Sequence, residues 1–360
     1  MTDLHLVGQS IIPQDAISEL VSVLQPRLAL LHSLNVTGAY TYRLVRELLK
    51  VYSSHDASRV LKCLTLSSIQ ISPEAHAVAW PTSSLSRLVE LDLNNLSGAI
   101  WLLFSQLVAL LSNCTTLHIL RLESLSIHED DPQNYPVISL PLLRIFEFVT
   151  YALSPSELRV LSLLSPGPYP LDVRLYLYNM IEPIHITNHI RPLLMRSNVT
   201  RLTVQNPYLG ERDNRFETLL SSTPHLRALI LHQANFRSLL VLKELIAPSD
   251  GSNQRLPQLQ CLCLIYGDCG PKSRESLKRI VAARSLNSLI FLTCRFTTLN
   301  PDEATSYNGD AWDTTQPEAV PEDFRQQLSE HVKKWVVLPR PPNPSQRNVD
   351  LFIEEVVTLD

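Results

Sequence analysis

The amino-acid sequence predicts an α/β fold that is built from repeated strand–helix units. Three observations support this prediction. The pattern LVELDLNNL at 88–96 returns as LHILRLESL at 117–125, with its leucines in the same places. Further copies follow at intervals of 26 to 33 residues along most of the chain. Between the copies lie segments whose apolar residues recur every three to four positions, as on one face of a helix.

Each copy follows the template L-x-x-L-x-L. Its alternation predicts a short strand whose leucines point into the core. The sixth copy is degenerate, but it keeps Leu175 and Leu177. The first template positions of the ten copies are Leu31, Leu61, Leu88, Leu117, Leu143, Asp172, Val199, Leu226, Leu259 and Leu286.

Helices are predicted between the copies. In TYRLVRELLKVY at 41–52, apolar residues recur at helical spacing. Ser154, Pro155 and Glu157 have the arrangement of a helix start, with a Ser cap, a Pro at the first helical position and a Glu three residues after the cap. Further helices are predicted at 100–112, 188–196, 214–222, 237–246 and 273–284.

One strand–helix unit cannot bury its apolar face alone, but stacked units share a continuous core. We therefore predict a leucine-rich-repeat solenoid, or horseshoe, with parallel strands on the concave face and helices on the convex face. The alternative is an ordinary α/β domain with leucine-rich strands. The predicted organisation is an N-terminal cap helix region at 1–25, a leucine-rich-repeat domain of about ten repeats at 26–298, an acidic loop at 299–323, and a C-terminal helix and tail at 324–360.

Composition excludes several classes of function. The net charge is −4 and no basic stripe occurs, so no nucleic-acid partner is expected. The chain has no secretory signal and no apolar run of membrane-spanning length, so we expect no membrane partner and a cytoplasmic or nuclear location. The six cysteines form no C-x-x-C pair and are expected to be free thiols.

No catalytic or phosphate-binding motif is present, so the chain is predicted not to be an enzyme and to need no cofactor. An enzyme-class alternative is a GTPase-activating horseshoe that acts through a single arginine, Arg121 or Arg201. A zinc site at His232, Cys261 and Cys263 is the alternative to ordinary free thiols, and the thiols are favoured because the spacing matches no zinc signature and a fourth ligand is missing.

The residues between the template leucines are predicted to line the concave face, and the charged and aromatic ones in its middle are the candidate partner-binding site. Tyr and Arg are enriched at binding hot spots. The alternative is a solvated face that binds nothing. The candidate residues are Glu90, Asp92, Asn94, Arg121, Glu123, Glu147, Arg174, Tyr176, Tyr178 and Arg201.

The last copies instead present an apolar patch on the same face, which soluble proteins rarely leave bare. We expect the tail, with Leu351 and Phe352, to fold back onto this patch. A partner protein could cover it instead, or a register shift of one residue would send these side chains into the core. The tail-docking patch is Ile230, Cys263, Ile265, Ile290 and Leu292.

Several copies resemble the leucine-rich repeats of fungal F-box-associated proteins. They are SNCTTLHILRLESLSI at 112–127, SSTPHLRALILHQANF at 221–236, RSLNSLIFLTCRF at 284–296, and LSLLSPGPYPLDVRLYL at 161–177, where a proline-bearing turn leads into a degenerate strand. The resemblance covers roughly residues 15–300.

The resemblance implies the substrate-recognition subunit of an F-box type ubiquitin ligase, in which the F-box binds a cullin-linked adaptor and the horseshoe holds a protein target. IPQDAISELVSVL at 12–24 matches the opening of an F-box loosely, but the rest of an F-box is not evident. We interpret 12–24 as the helix of the first repeat. The alternative function is a standalone inhibitor or regulator that wraps a protein partner. In either case we expect a monomer outside complexes.

Overall fold

The computed structural model describes two compact units, Met1–Asn198 and Val199–Asp360. In each unit parallel strands alternate with helices, so the predicted α/β class is confirmed. The repeated arrangement is consistent with a solenoid-like fold. The residues described are 3–8, 12–28, 30–39, 41–54, 61–70, 85–96, 102–130, 135–151, 155–177, 183–205, 215–234, 236–246, 256–267, 269–284, 286–294, 296 and 320–338.

The first unit begins with a strand and continues as strand–helix units. Its strands are β1 Asp3–Val7, β2 Ser33–Thr37, β3 Cys63–Ser67, β4 Glu90–Asn94, β5 Leu102–Leu103, β6 Ile119–Glu123, β7 Ile127–His128, β8 Ile138–Leu140, β9 Ile145–Thr150, β10 Leu164–Pro166 and β11 Leu171–Leu177. Its helices are α1 Gln14–Leu28, α2 Tyr42–Ser54, α3 Phe104–Asn113, α4 Pro155–Leu163, α5 Pro183–His185 and α6 Arg191–Arg196, with a π-helical turn at Ile186–Ile190.

The main sheet of the first unit has the strand order β1-β2-β3-β4-β6-β9-β11, with every pair parallel. Strands β5 and β7 form one small sheet, and β8 and β10 form another. Parallel strands joined through a helix follow right-handed crossovers as a rule, so the connecting helices are expected on one face of the main sheet. We call the opposite face the open face.

The second unit repeats this arrangement. Its strand order is β12-β13-β14-β15-β16, again with every pair parallel. The strands are β12 Val199–Gln205, β13 Ala228–His232, β14 Cys261–Ile265, β15 Ser288–Leu292 and β16 Lys334–Leu338. The helices are α7 Arg215–Ser221, α8 Phe236–Ile246, α9 Pro271–Ala283 and α10 Glu322–His331.

The template leucines form the core in both units. Leu91 and Leu93 on β4, like Leu262 and Leu264 on β14, are fully buried on the helix side of their sheets. Among the described residues, none of the helices has the length and apolar character that crossing a membrane requires.

A left-handed residue follows each of six strands. Its φ lies between 47° and 56°, and its N–H donates to a carbonyl at or next to the end of the neighbouring strand, as from Asn95 to Glu123 (2.7 Å) and from Thr293 to Leu338 (3.0 Å). This turn ends the strand and directs the chain toward the helix side. The six residues are Ser68, Asn95, Ser124, Gln233, Tyr266 and Thr293.

The predicted helices between the copies are confirmed within a few residues at each end, including the start of α4 at Pro155. The N-terminal region adds a strand that the sequence analysis missed, β1, which pairs parallel with β2. Helix α1 joins these two strands, which agrees with the interpretation of 12–24 as the helix of a repeat.

The apolar spacing of EDFRQQLSEHVKKWV at 322–336 is that of one helix face, but the C-terminal helix ends before this segment does. Helix α10 ends at His331, and Lys334–Leu338 forms β16 against β15. Val332 and Trp335 continue the apolar spacing of the helix, but pairing with a free strand edge satisfies the backbone of this segment instead. Most of the predicted acidic loop, 299–319, lies outside the described residues, as does the tail from 339 onward.

Candidate functional site

The open face of the first unit carries a central row of polar side chains, because residues in register on parallel strands lie side by side. Asp92 on β4 pairs with Arg121 on β6, and Arg121 pairs with Glu147 on β9. Arg174 on β11 pairs with Glu147 on the other side. Opposite charges therefore alternate along adjacent strands.

Ion pairs connect these strands into what we call the charged ladder: Glu90, Arg121, Glu147, Arg174 and Asp172. Arg121 binds Glu90 closely, and its Nε atom lies 3.6 Å from Oε2 of Glu147. Arg174 Nη1 lies 3.8 Å from the same Oε2 atom, and Arg174 Nη2 donates to Asp172 Oδ2 at 2.9 Å. Each guanidinium is held by two carboxylates, so the positions of the charges are fixed before any partner arrives.

A second polar group extends the charged ladder toward the ends of the strands. The side-chain amide of Asn94 donates to Glu123 Oε2 at 2.6 Å, which links β4 to β6. The pKa of Glu123 is raised, chiefly by burial and then by the negative charges of Glu147 and Asp92, while a hydrogen bond from Tyr151 opposes the shift. Negatively charged side chains therefore already surround this carboxylate.

The charge balance of this region is negative. Strands β4 to β11 place five carboxylates on the open face, from Glu90, Asp92, Glu123, Glu147 and Asp172, against the guanidinium groups of Arg121 and Arg174. The pKa of Glu147 is also raised, chiefly by burial and further by the negative charges of Asp92 and Asp172, and together these effects exceed the opposite effect of Arg174 and Arg121. The arrangement therefore suits an added positive charge better than an added negative one.

Strand β11 differs from its predicted placement. The template placed Tyr176 beside Glu147, but the structure pairs Arg174 with Glu147 and Tyr176 with Val149. A shift of two residues keeps each side chain on the same face and changes only its neighbour. Tyr176 is fully buried, and Tyr178 lies outside the described residues.

Asp172 was missed as a member of the site for the same reason. The template assigned it the first position of a degenerate copy, although Asp172 and Arg174 are two residues apart on one strand and therefore share a face. That spacing of opposite charges was the signal available in the sequence. Tyr151, whose hydroxyl reaches Glu123, follows β9 directly and carried no signal.

Arg201 belongs to the second unit, where β12 pairs it with Ala228 on β13. Its neighbours on that face differ from those of the charged ladder, because Thr203, Gln205 and His232 are buried. Apart from His232 and Ser288, the side chains on this face of β13, β14 and β15 are apolar. The candidate residues of the two units therefore lie in different surroundings.

The tail-docking patch is present as a single group on the open face of the second unit. Ile230, Cys263 and Ile290 lie side by side in register, and so do Ile265 and Leu292. The register shift of one residue is therefore not observed. With their neighbours these residues form the apolar cluster, whose members are between 0% and 2% exposed: Ala228, Ile230, Cys261, Cys263, Ile265, Ile290 and Leu292. Leu351 and Phe352, which were expected to cover it, lie outside the described residues.

Burial controls the protonation of His232 and Cys261. Burial lowers the pKa of His232 to about 3 and raises that of Cys261 to about 11, so the imidazole is neutral and the thiol is protonated at pH 7. In the part of the chain that the structure describes, no group of three or more His, Cys, Asp and Glu side chains is placed to hold a metal ion.

Comparison with known proteins adds little to this description. No protein-family model matches the chain, and no curated protein matches it. A crystal structure of a protein from Bacteroides fragilis is similar, with 12% sequence identity over 94% of this chain and 74% of that one, and a TM-score of 0.39. A likeness at this level carries no argument about fold or function.

Proposed function

We propose that this chain is a non-enzymatic protein-binding scaffold of the leucine-rich-repeat type, and that the open face of the first unit is its recognition surface. The observation that carries the proposal is the charged ladder, in which Arg121 and Glu147 stay 18% and 17% exposed while ion pairs hold them in place. A surface that is ordered before binding loses little side-chain entropy when a partner docks.

The partner segment that suits this surface is positively charged. Glu90 and Glu123 flank Arg121 on the open face. Both belong to the five carboxylates that outnumber the two guanidinium groups on this face. Complementary charge contributes mostly to the association rate and to the choice of partner, and it makes both sensitive to salt. The same ion pairs argue against a catalytic role for Arg121, because its guanidinium is held by two carboxylates of its own chain.

The narrower proposal is that the chain acts as the substrate-recognition subunit of an F-box type ubiquitin ligase, as a monomer outside that complex and in the cytoplasm or nucleus. The sequence resemblance supports it. Helix α1 buries one stripe, formed by Ile17, Leu24 and Leu28, while Val23 on its outer side is 60% exposed. This outer side is our proposed contact for a cullin-linked adaptor. A standalone inhibitor or regulator needs no such contact, which separates the two functions.

Affinity capture from native lysate with quantitative mass spectrometry tests both levels of the proposal. Three variants accompany the wild type: Glu90→Lys/Glu123→Lys on the open face, Val23→Asp on α1, and Glu275→Lys/Glu330→Lys as a charge-matched control on the exposed sides of α9 and α10. We expect the target to be lost only with the open-face variant, and the adaptor and cullin to be lost only with Val23→Asp.

The outcomes are distinct. A target without adaptor or cullin would support the standalone alternative and reject the ubiquitin-ligase role. If the control variant loses the same proteins as the open-face variant, general charge and not the charged ladder governs capture, and the proposed recognition surface is wrong.

A further inference from the structure

The net charge on the open face of the first unit alternates from strand to strand. With every carboxylate ionised, the charged side chains on this face are Glu90 and Asp92 on β4 (−2), Arg121 and Glu123 on β6 (0), Glu147 on β9 (−1), and Asp172 and Arg174 on β11 (0). The neighbouring strand β3 presents only the neutral side chains of Cys63, Thr65 and Ser67. Two acidic strands, β4 and β9, therefore stand between neutral ones.

The two acidic strands lie two strand spacings apart, because β6 lies between them and pairs with both. Neighbouring strands are ~4.8 Å apart, so β4 and β9 are separated by roughly 10 Å. Both strands offer an accessible carboxylate, since the side chains of Glu90 and Glu147 are 24% and 17% exposed. A partner that matches this pattern presents two cations about 10 Å apart and no cation between them.

The carboxylates also spread along the strand direction. Glu90 is in register with Ile119, and Glu123 lies four residues farther along β6. At ~3.3 Å per residue this offset is roughly 13 Å. An α-helix with its side chains is about 10–12 Å across, so one helix laid across the strands reaches both ends of this offset. An extended chain is only about 5 Å wide, which is one strand spacing, and covers one row of side chains.

We infer that the segment recognised by the open face is an α-helix that lies across β4, β6 and β9, with basic residues seven positions apart. Residues seven apart share one face of a helix and are separated by ~10.5 Å along its axis, close to the spacing of the two acidic strands. The inference rests on the proposed recognition surface and adds the form and the register of the partner segment.

Arg121 supplies the negative side of this selection. A residue three positions after the first basic one lies ~4.5 Å along the helix and therefore opposite β6. A cation at this position meets the guanidinium of Arg121, which Glu90 and Glu147 hold in place. Repulsion of like charges then discriminates against helices whose basic residues are three positions apart.

NMR titration of synthetic peptides with the full chain at low salt tests the inference without the natural partner. The probe is a stapled, alanine-based helix with two arginines seven positions apart. The first control has the same composition and staple, but its arginines are three positions apart. The second control is the unstapled probe with a central proline, which breaks the helix. The third is a polyproline peptide with arginines three positions apart, which places them ~9 Å apart on a narrow chain.

We expect the probe to bind at least about fivefold more tightly than each control, which corresponds to one well-placed charge pair. Glu147→Gln should remove this preference, because β9 then carries no charge. Glu275→Gln on α9 removes the same charge from an exposed position and should leave the preference unchanged. The comparison of peptides on the wild type decides the inference even if Glu147→Gln fails to fold.

The outcomes separate this inference from the proposed function. If a control binds as tightly as the probe, and all the peptides lose affinity for Glu90→Lys/Glu123→Lys, the helix is wrong and the basic recognition surface stands. If the peptides bind this variant as well as the wild type, both the helix and the recognition surface are wrong.

Discussion

Oε2 of Glu147 lies 3.6 Å from Nε of Arg121, and this contact joins β6 to β9 in the middle of the charged ladder. Glu147 has a second guanidinium neighbour, Arg174, and Arg121 has a second carboxylate neighbour, Glu90. The pair is therefore part of a network in which each charge has more than one partner.

This network predicts unequal effects of removing its members. Arg121→Ala leaves Glu90 and Glu147 half-buried without their shared cation, whereas Glu147→Ala leaves each arginine with another carboxylate. We expect the arginine variant to lose more stability, and a coupling energy of roughly 1 kcal/mol between the two positions. A double-mutant cycle by urea unfolding measures both. Equal losses with no coupling would show that the ion pair contributes nothing to the fold.

The raised pKa of Glu123 predicts a pH-dependent difference in stability between the wild type and a neutral variant. Its folded-state pKa is raised, so the stabilising effect of this group is complete below the unfolded-state pKa and is lost as pH rises through the folded-state pKa. The neutral variant Glu123→Gln avoids this loss. We expect it to unfold at higher urea concentration than the wild type at pH 7, with the advantage gone below about pH 4.

The control for this prediction is Glu275→Gln on α9. Glu275 is exposed and pairs with Arg279 one helical turn away. It should give no comparable gain at pH 7. A gain of the same size in both variants would trace the effect to net charge and not to the surroundings of Glu123.

The buried hydrogen bond of Glu157 on α4 predicts a loss of stability when its side chain is removed. Its side chain is almost fully buried, and Oε1 accepts the backbone N–H of Leu125 at 2.9 Å. Glu157→Ala leaves that N–H without this acceptor, and a buried donor left in this way costs about 1–3 kcal/mol. Glu157→Gln keeps an oxygen acceptor and should lose clearly less. Thermal unfolding of both variants checks the difference, and equal losses would contradict the assigned role of the hydrogen bond.

The left-handed turns predict a reciprocal pair of substitutions. Thr293 has φ +54°, which is unfavourable for a β-branched side chain, and Asn95 has φ +48°, which asparagine tolerates well. Thr293→Asn should stabilise the protein by about 0.5–1 kcal/mol, and Asn95→Thr should destabilise it by a similar amount. Unfolding free energies of the two variants test this. The same sign for both would mean that side-chain contacts outweigh backbone conformation at these turns.

The sequence predicted the strands best where a copy is flanked by clear helices. Leu91 and Leu93 fixed both the face and the position of β4, and the same holds for Leu120 and Leu122 on β6. In LDVRLYL at 171–177 apolar residues alternate without a break, so the pattern specifies the face but not which residue lies beside Glu147. Pairing with β9 decides that, and no local pattern contains it.

The ends of the chain were harder to predict for a different reason. The segment KWVVL at 334–338 continues the helical spacing of α10, yet an open strand edge on β15 makes strand pairing more favourable. The small sheets β5–β7 and β8–β10 involve only two or three residues per strand, which is too short for a periodic signal. The candidate site shows the same contrast between clear and degenerate copies. Arg121, Glu123 and Glu147 were placed on the correct strands, whereas Asp172 in the degenerate copy was missed.

The most direct test of the recognition surface is carboxyl footprinting of the full chain with and without its captured partner. Labelling of Glu90 and Glu123 should fall by several-fold in the complex, while Glu275 on α9 reacts equally in both states. Unchanged labelling of Glu90 and Glu123, with protection elsewhere on the protein, would contradict the claim that the open face of the first unit binds the partner.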